Sequence, residues 1–176
     1  NSAFPRDHGR AGERLFDSFT PLMRAAATAN LRALDAMLTA GSSQMNEDNF
    51  NAVDHLGYTA LMHAVAGGSG AHPYAHAQAV SLAISRSKAA GIVVDASETG
   101  PGGRSALHMA VLAGSHIGLQ ALLDLPSIDV NQFDDSEPPV TPLHLAARSG
   151  QMACLTALLA DPRLNVNAAP ASGGVS

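Results

Sequence analysis

Apolar residues recur along the chain in blocks whose spacing of three to four residues is typical of one face of a helix. Four of these blocks begin with Thr or Ser, then Pro or Ala, then Leu: TPLMRAAATA (20–29), TALMHAVAGG (59–68), SALHMAVLAG (105–114) and TPLHLAARSG (141–150). A Thr or Ser hydroxyl can accept a backbone N–H of a first helical turn, and Pro is tolerated at the first helical position. The pattern therefore predicts four short helices, each starting directly after its hydroxyl residue.

A second apolar segment follows each of these blocks and predicts a second helix. Its residues at helical spacing are Leu34, Met37 and Leu38, then Val80, Ala83 and Ile84, then Leu119, Leu122 and Leu123, then Leu155, Leu158 and Leu159. Such a stripe marks the buried side of a helix. Gly41, Gly91, Pro126 and Pro162 then end or redirect the chain. A helix pair of this kind cannot bury its apolar side alone, so the stacked copies are expected to share one core.

The copies start 39, 46 and 36 residues apart and resemble the ankyrin repeat, whose pattern T-P-L-H-x-A recurs with a period of about 33. The fourth copy carries the resemblance best, through Thr141, Pro142, Leu143, His144 and Ala146. The resemblance covers roughly residues 19–167 in four copies. It implies an all-α repeat solenoid, an ankyrin-repeat stack of helix–turn–helix units joined by short β-hairpin loops.

This organisation divides the chain into six parts. They are an N-terminal flank (1–18), repeat 1 (19–54), repeat 2 with long insertions (55–98), repeat 3 (99–135), repeat 4 (136–168) and the start of a further repeat or a tail (169–176). Residues 12–19 are expected to form a short helix that covers repeat 1 with Leu15, Phe16 and Phe19. Because residues 174–176 align with the hairpin that precedes a first helix, the parent protein is expected to continue.

Insertions account for the spacings above the family period. Residues 42–49 and 67–77 are polar or glycine-rich and are expected to be loops, whereas 85–91 is expected to extend a second helix. Residues 99–103 enlarge one hairpin. The acidic segment 134–139, which contains Asp134, Asp135 and Glu137, is expected to form a contact finger at a hairpin tip.

Composition and charge exclude several classes of partner. The chain is 46% hydrophobic and 14% charged, with a formal net charge of -5, and therefore has no electrostatic footprint for nucleic acid or an anionic membrane. No apolar run approaches the roughly 18 residues that span a bilayer. The single cysteine, Cys154, permits no intrachain disulfide and fits a reducing compartment, so a cytoplasmic location is expected.

The candidate chemical groups favour structural roles. His108 and His144 occupy one motif position, and the resemblance implies that this histidine hydrogen-bonds within and between repeats; Met23 and Met62 stand there in the first two copies. His72 and His76 have the i, i+4 spacing of metal ligands, but Pro73 indicates a surface loop and no third ligand is evident. Cys154 is expected to be a packing residue. The sequence therefore predicts no catalytic residue, metal site or cofactor, and no enzyme.

The resemblance implies a binding surface on the concave side of the stack, built from hairpin tips and the outward positions of the first helices. The residues carried onto it are Arg24, Leu56, Tyr58, His63, Arg104, Met109, Leu112, Leu145 and Arg148. Met109, Leu112 and Leu145 are expected to form its apolar centre, with the three arginines at its borders.

These expectations describe a monomeric, non-catalytic module that binds another protein. One alternative is that the chain is the targeting region of a larger enzyme or secreted effector whose catalytic domain lies outside it. A further alternative is a small ligand or metal held by the loop of the second copy. Fold alone does not decide among them.

Overall fold

The structure is a computed structural model that describes residues 19–39, 45–67 and 73–169. The helices in these ranges are α1 Pro21–Ala27, α2 Leu31–Thr39, α3 Glu47–Phe50, α4 Ala60–Ala66, α5 Pro73–Ala89, α6 Ala106–Leu112, α7 His116–Leu123, α8 Pro142–Arg148 and α9 Met152–Leu159, with a 3-10 turn at Pro101–Gly103. The described ranges contain no β-strand; the hairpins between repeats reduce to isolated bridges, Val53 with Thr59 and Gly100 with Arg104.

The first helices of the repeats begin where the sequence predicts. The hydroxyls of Thr20 and Thr59 accept the backbone N–H three residues on, at 3.2 Å in both cases, and Thr141 does the same at 3.4 Å. Pro21 and Pro142 follow their capping residues. Because each of these caps is local, a sequence signal is sufficient to place the helix start.

Four helix pairs stack in two layers. In one layer α1, α4, α6 and α8 pack in that order, and in the other α2, α5, α7 and α9 do. The alanine at the fifth position after each capping residue is buried in all four repeats, which lets neighbouring first helices approach closely. The buried side chains form a core cluster that runs through the stack and confirms the predicted all-α repeat solenoid.

Two insertions that were expected to be loops are helical in part. Residues 47–50 form α3, which Asn46 caps and whose Phe50 is buried. In the second insertion α5 begins at Pro73, so residues 74–77 are helical, and it continues to Ala89 as the 85–91 segment predicts. Both errors have one cause: burial of a side chain stabilises a helical turn in a segment whose composition alone favours a loop. Segments 1–18, 40–44, 68–72 and 170–176, with the expectations placed on them, lie outside the described residues.

His108 has the structural role predicted for it. Its Nδ1 accepts the backbone N–H of Ser105 at 3.2 Å, so Nε2 carries the proton and donates to the carbonyl of Val140 at 3.0 Å in the next hairpin. Burial lowers the pKa of His108 more than its bond to Val140 and the charge of Asp134 raise it. His108 is therefore neutral at pH 7.

The other occupants of this motif position share only the local part of that arrangement. His144 Nδ1 accepts the Thr141 N–H at 3.3 Å. In repeat 1 the sulfur of Met23 accepts the Thr20 N–H at 3.4 Å, while the side chain packs in the core. The methionines therefore fill the position as packing residues, as predicted.

Side chains in the segments that follow the second helices join successive repeats. The amide of Asn51 donates to the Val93 carbonyl and accepts the Asp95 N–H, both at 2.9 Å. Asn131 forms the same bridge to Arg163 and Asn165, at 2.9 and 2.7 Å. Each asparagine thereby satisfies backbone groups in the corresponding segment of the following repeat.

Candidate partner-binding surface

The residues that follow the shared His/Met position in the first helices form a column along the predicted concave face. Arg24 is exposed, His63 and Met109 are half-buried, and Leu145 is only 4% exposed. The prediction that Leu145 faces outward is therefore wrong. Leu145 belongs to the core cluster, and Met109 packs against that cluster. A leucine at this position gains more by packing inward than by contact with water.

Exposed side chains on this face combine apolar and cationic groups. Leu56 and Leu112 are 52% and 45% exposed, and Arg24, Arg104 and Arg148 are exposed as well. None of these arginines forms an ion pair with a carboxylate in the described ranges, whereas Arg86 pairs with Asp35 and Arg163 with Asp161, each at 2.7 Å. Of the expected apolar centre, Leu112 and part of Met109 remain accessible.

A buried carboxylate orients His63, an arrangement that sequence reasoning did not find. Nε2 of His63 lies 2.8 Å from Oδ2 of Asp54, and their side chains are 18% and 2% exposed. Burial alone would raise the pKa of Asp54, but hydrogen bonds from the Tyr58 N–H, the His63 ring and the Leu56 N–H outweigh it, so the pKa is lowered. Asp54 is therefore ionised at neutral pH. The available signal was its position, five residues before the capping Thr59.

Aromatic rings surround His63. Its ring centre is 4.9 Å from that of Phe19 in an edge-on arrangement and 5.4 Å from that of Tyr58. The guanidinium carbon of Arg24 lies 5.9 Å from the centre of the Phe19 ring. The structure thus brings three predicted surface residues, Arg24, Tyr58 and His63, into one cluster with Phe19 and Asp54, which we call the repeat 1–2 corner.

Neighbouring hairpins contact each other through glycines. A Cβ at Gly100 would lie 2.8 Å from Cε1 of Tyr58, so only glycine leaves room for that ring. Between the next two hairpins the N–H of Asp135 donates to the carbonyl of Gly102 at 2.9 Å. The predicted tip residues Tyr58 and Arg104 therefore lie on consecutive, packed hairpins.

The expected acidic finger is only partly available for contact. Asp134 is buried, and its Oδ1 accepts the backbone N–H groups of Ser136 and Val140. It shapes the hairpin from within, just as Asp54 does in the hairpin that precedes α4. Asp135 and Glu137 are exposed. The prediction of a three-carboxylate contact is wrong for Asp134, because turn backbone needs an acceptor there.

The groups considered for chemistry are held in structural contacts. His76 lies buried in α5 with Nδ1 3.1 Å from the Ala64 carbonyl, which corrects its assignment to a surface loop, while His72 lies outside the described residues. Within the described ranges no three His, Cys, Asp or Glu side chains cluster as a metal site would require. Burial raises the pKa of the Cys154 thiol, as expected of a packing residue.

A groove on the second-helix side of the stack is a concavity that the sequence did not indicate. It has a volume of about 530 Å³ and is lined by Ile84, Ile92, Val94 and Leu125, with Lys88 at its edge. Its lining comes from α5, from residues 92–94, and from the end of α7 with the segment after it. The groove is a second possible partner-binding location, and the concave face can be tested against it.

Comparison with known sequences agrees with the fold. The family profile described as Ankyrin repeats (3 copies) matches residues 22–134 and, in a second overlapping match, residues 74–169. No curated protein matches the chain. In the described part of the chain, none of the helices is both long and apolar enough to cross a bilayer. The chain belongs to the ankyrin-repeat family, whose repeats serve in general as protein–protein interaction modules.

Proposed function

We propose that this chain binds another protein along the concave face of its repeat stack. The observation that supports this most directly is the coexistence of exposed Leu56 and Leu112 with three exposed arginines on the predicted face, none of which forms an ion pair with a described carboxylate. Exposed leucine provides apolar area, and arginine forms directional hydrogen bonds from a planar group. These are the side chains that protein interfaces use.

The proposed surface comprises eight residues, since Leu145 is buried. They are Arg24, Leu56, Tyr58, His63, Arg104, Met109, Leu112 and Arg148. Most sit on capped helices or packed hairpins that contact their neighbours. Little of this surface has to be ordered on binding, so little conformational entropy is lost.

Two charge-introducing variants test the location. Leu112→Glu places a carboxylate in the exposed apolar part of the proposed face, and it should weaken binding of the captured partner at least about tenfold, because a desolvated charge opposes the interface. Val93→Glu is the matched control, since Val93 is 64% exposed and lines the groove on the other side. Binding would be measured by calorimetry against the partner isolated by affinity capture. Loss of binding in the Val93 variant alone would move the site to the groove.

The module is proposed to act as a monomer and without catalysis. Light scattering of the purified chain should give the mass of one copy across the concentrations used for binding. A mass that increases with concentration would instead indicate self-association. The cytoplasmic location expected from the single cysteine stays a prediction.

A further inference from the structure

The repeat 1–2 corner differs in charge from the protein as a whole. The chain carries a formal net charge of -5. At the corner, however, the accessible ionisable groups among the described residues include the exposed Arg24 and the half-buried His63, while the carboxylate of Asp54 is 2% exposed and bonded to His63 and backbone N–H groups. A ligand approaching this corner therefore meets cationic or protonatable groups first.

Arg24 and His63 share one aromatic neighbour. The Arg24 guanidinium carbon and the His63 ring centre lie 5.9 and 4.9 Å from the centre of the Phe19 ring. An arginine held near an aromatic ring keeps its planar donors pre-arranged for a carboxylate. Arg24 is exposed, and no carboxylate among the described residues pairs with it.

The two ring nitrogens of His63 differ in their hydrogen bonding. Nε2 is bonded to Asp54, and Nδ1 makes no hydrogen bond within the described part of the chain. The titratable groups that contact the ring are Asp54 and Tyr58, while Arg24 contacts Phe19, the ring's other aromatic neighbour. His55 belongs to the hairpin of Tyr58, and Arg104 belongs to the next hairpin. When His63 is protonated, Nδ1–H becomes a donor directed away from Asp54.

We propose that the repeat 1–2 corner binds an acidic segment of the partner protein, with one carboxylate held by the Arg24 guanidinium and one by His63 Nδ1. Phe19, Arg24, Thr28 and Met37 also line a hollow of about 540 Å³, which accommodates an aliphatic side chain next to the carboxylate at Arg24. Because a carboxylate favours the protonated imidazole, His63 takes a proton from solvent on binding, and the affinity rises as the pH falls. This inference rests on the proposed protein-binding function.

Two blocked peptides test the proposal on the full chain. Acetyl-Gly-Glu-Leu-Glu-Gly-amide carries the proposed chemistry, and the same peptide with Gln in place of both Glu is its neutral match. Titration of ¹⁵N-labelled protein should give saturable shifts at the Arg24 and His63 resonances with the Glu peptide only, and tighter binding at about pH 6 than at about pH 8. Arg24→Gln should weaken binding about tenfold. His63→Gln should remove the pH dependence.

Arg32→Gln is the control variant, because it removes the same charge from an exposed residue of the same repeat. It should bind the Glu peptide as the unchanged protein does. Equal binding of the two peptides, equal effects of the Arg24 and Arg32 variants, or shifts confined to other repeats would overturn the proposal. So would sodium acetate reproducing the shifts at equal carboxylate concentration, since the site would then select a free carboxylate. Partner binding that needs Leu112 but not Arg24 would refute this inference and leave the proposed function intact.

Discussion

Repeats 3 and 4 contain the same motif histidine in two different environments. His108 is fully buried, and Nε2 reaches the Val140 carbonyl in the following hairpin. His144 is exposed, and only its Nδ1 is bonded to a described residue, the capping Thr141. Both residues are histidines, and in both repeats Nδ1 accepts the backbone N–H of the capping residue. The difference in burial therefore comes from the neighbouring repeat. Position in the stack, more than sequence, decides how much each equivalent residue contributes to stability.

The largest expected difference in stability between equivalent residues of repeats 3 and 4 is at their second helices. Leu123 is 8% exposed, whereas Leu159, at the equivalent position in repeat 4, is 53% exposed. Leu123→Ala should lower the free energy of unfolding by about 3 kcal/mol, through lost burial and a cavity. Leu159→Ala should cost about 0.5 kcal/mol. Urea unfolding followed by circular dichroism measures both, and equal losses would contradict the role given to stack position.

His108 and His144 should differ by a smaller amount in their contributions to the free energy of unfolding. His108→Ala should cost about 2 kcal/mol, since it removes the hydrogen bond to the Val140 carbonyl and leaves a cavity at a fully buried position, although that carbonyl keeps the N–H of Asp134. His144→Ala removes a bond at the helix cap and should cost about 0.5 kcal/mol. Partner affinity should be unchanged by His144→Ala. If affinity fell while the unfolding free energy held, His144 would have to be reassigned from the framework to the binding surface.

The bridging asparagines extend the comparison to the loops. Asn131 makes two hydrogen bonds to the backbone of repeat 4, while the side chain of Asn167, at the equivalent position one repeat on, has no partner within the described ranges. Asn131→Ala should cost about 1.5 kcal/mol and Asn167→Ala almost nothing. Amide hydrogen exchange at Asn165 should accelerate in the Asn131 variant alone. Unchanged exchange there would show that the bridge contributes little.

The smallest expected effect is on the pH dependence of the unfolding free energy, and it arises in the hairpin that joins repeats 3 and 4. Burial would raise the pKa of Asp134, but bonds from the Ser136 hydroxyl and from the Val140 and Ser136 N–H groups lower it. A carboxylate with a lowered folded-state pKa stabilises above the ordinary carboxyl range, and this contribution is lost as the pH falls through the folded value. Asp134→Asn should therefore cost about 1 kcal/mol at neutral pH and less at about pH 3.

The neighbouring Asp135 provides the control for that measurement. It is exposed, and among the described residues only its backbone N–H is bonded, to the carbonyl of Gly102. Asp135→Asn should leave unfolding in urea unchanged at both pH values. An Asp135 variant that lost as much stability at neutral pH as the Asp134 variant would show that net charge in the hairpin, and not the bonded carboxylate, is responsible.

The concave face was predicted less well than the helices. Arg24, Leu56, Arg104, Leu112 and Arg148 are exposed as the pattern indicates. Their place on the surface is what the resemblance to the ankyrin repeat implies for the outward positions of first helices and for hairpin tips. The repeat pattern does not distinguish an exposed residue from one that its neighbours cover. The same reasoning therefore placed Leu145 of repeat 4 on the surface, although it is buried.

Local signals in the sequence determined most of the fold. Thr20, Thr59 and Thr141 cap helices through atoms three residues away, and the repeated alanines and leucines require stacked copies to cover them. Only the tertiary structure decided that Leu145 is buried and that Asp54 holds His63 beside Phe19. Helix caps and stripes depend on neighbours along the chain, whereas burial and side-chain pairing across hairpins depend on which repeats pack together.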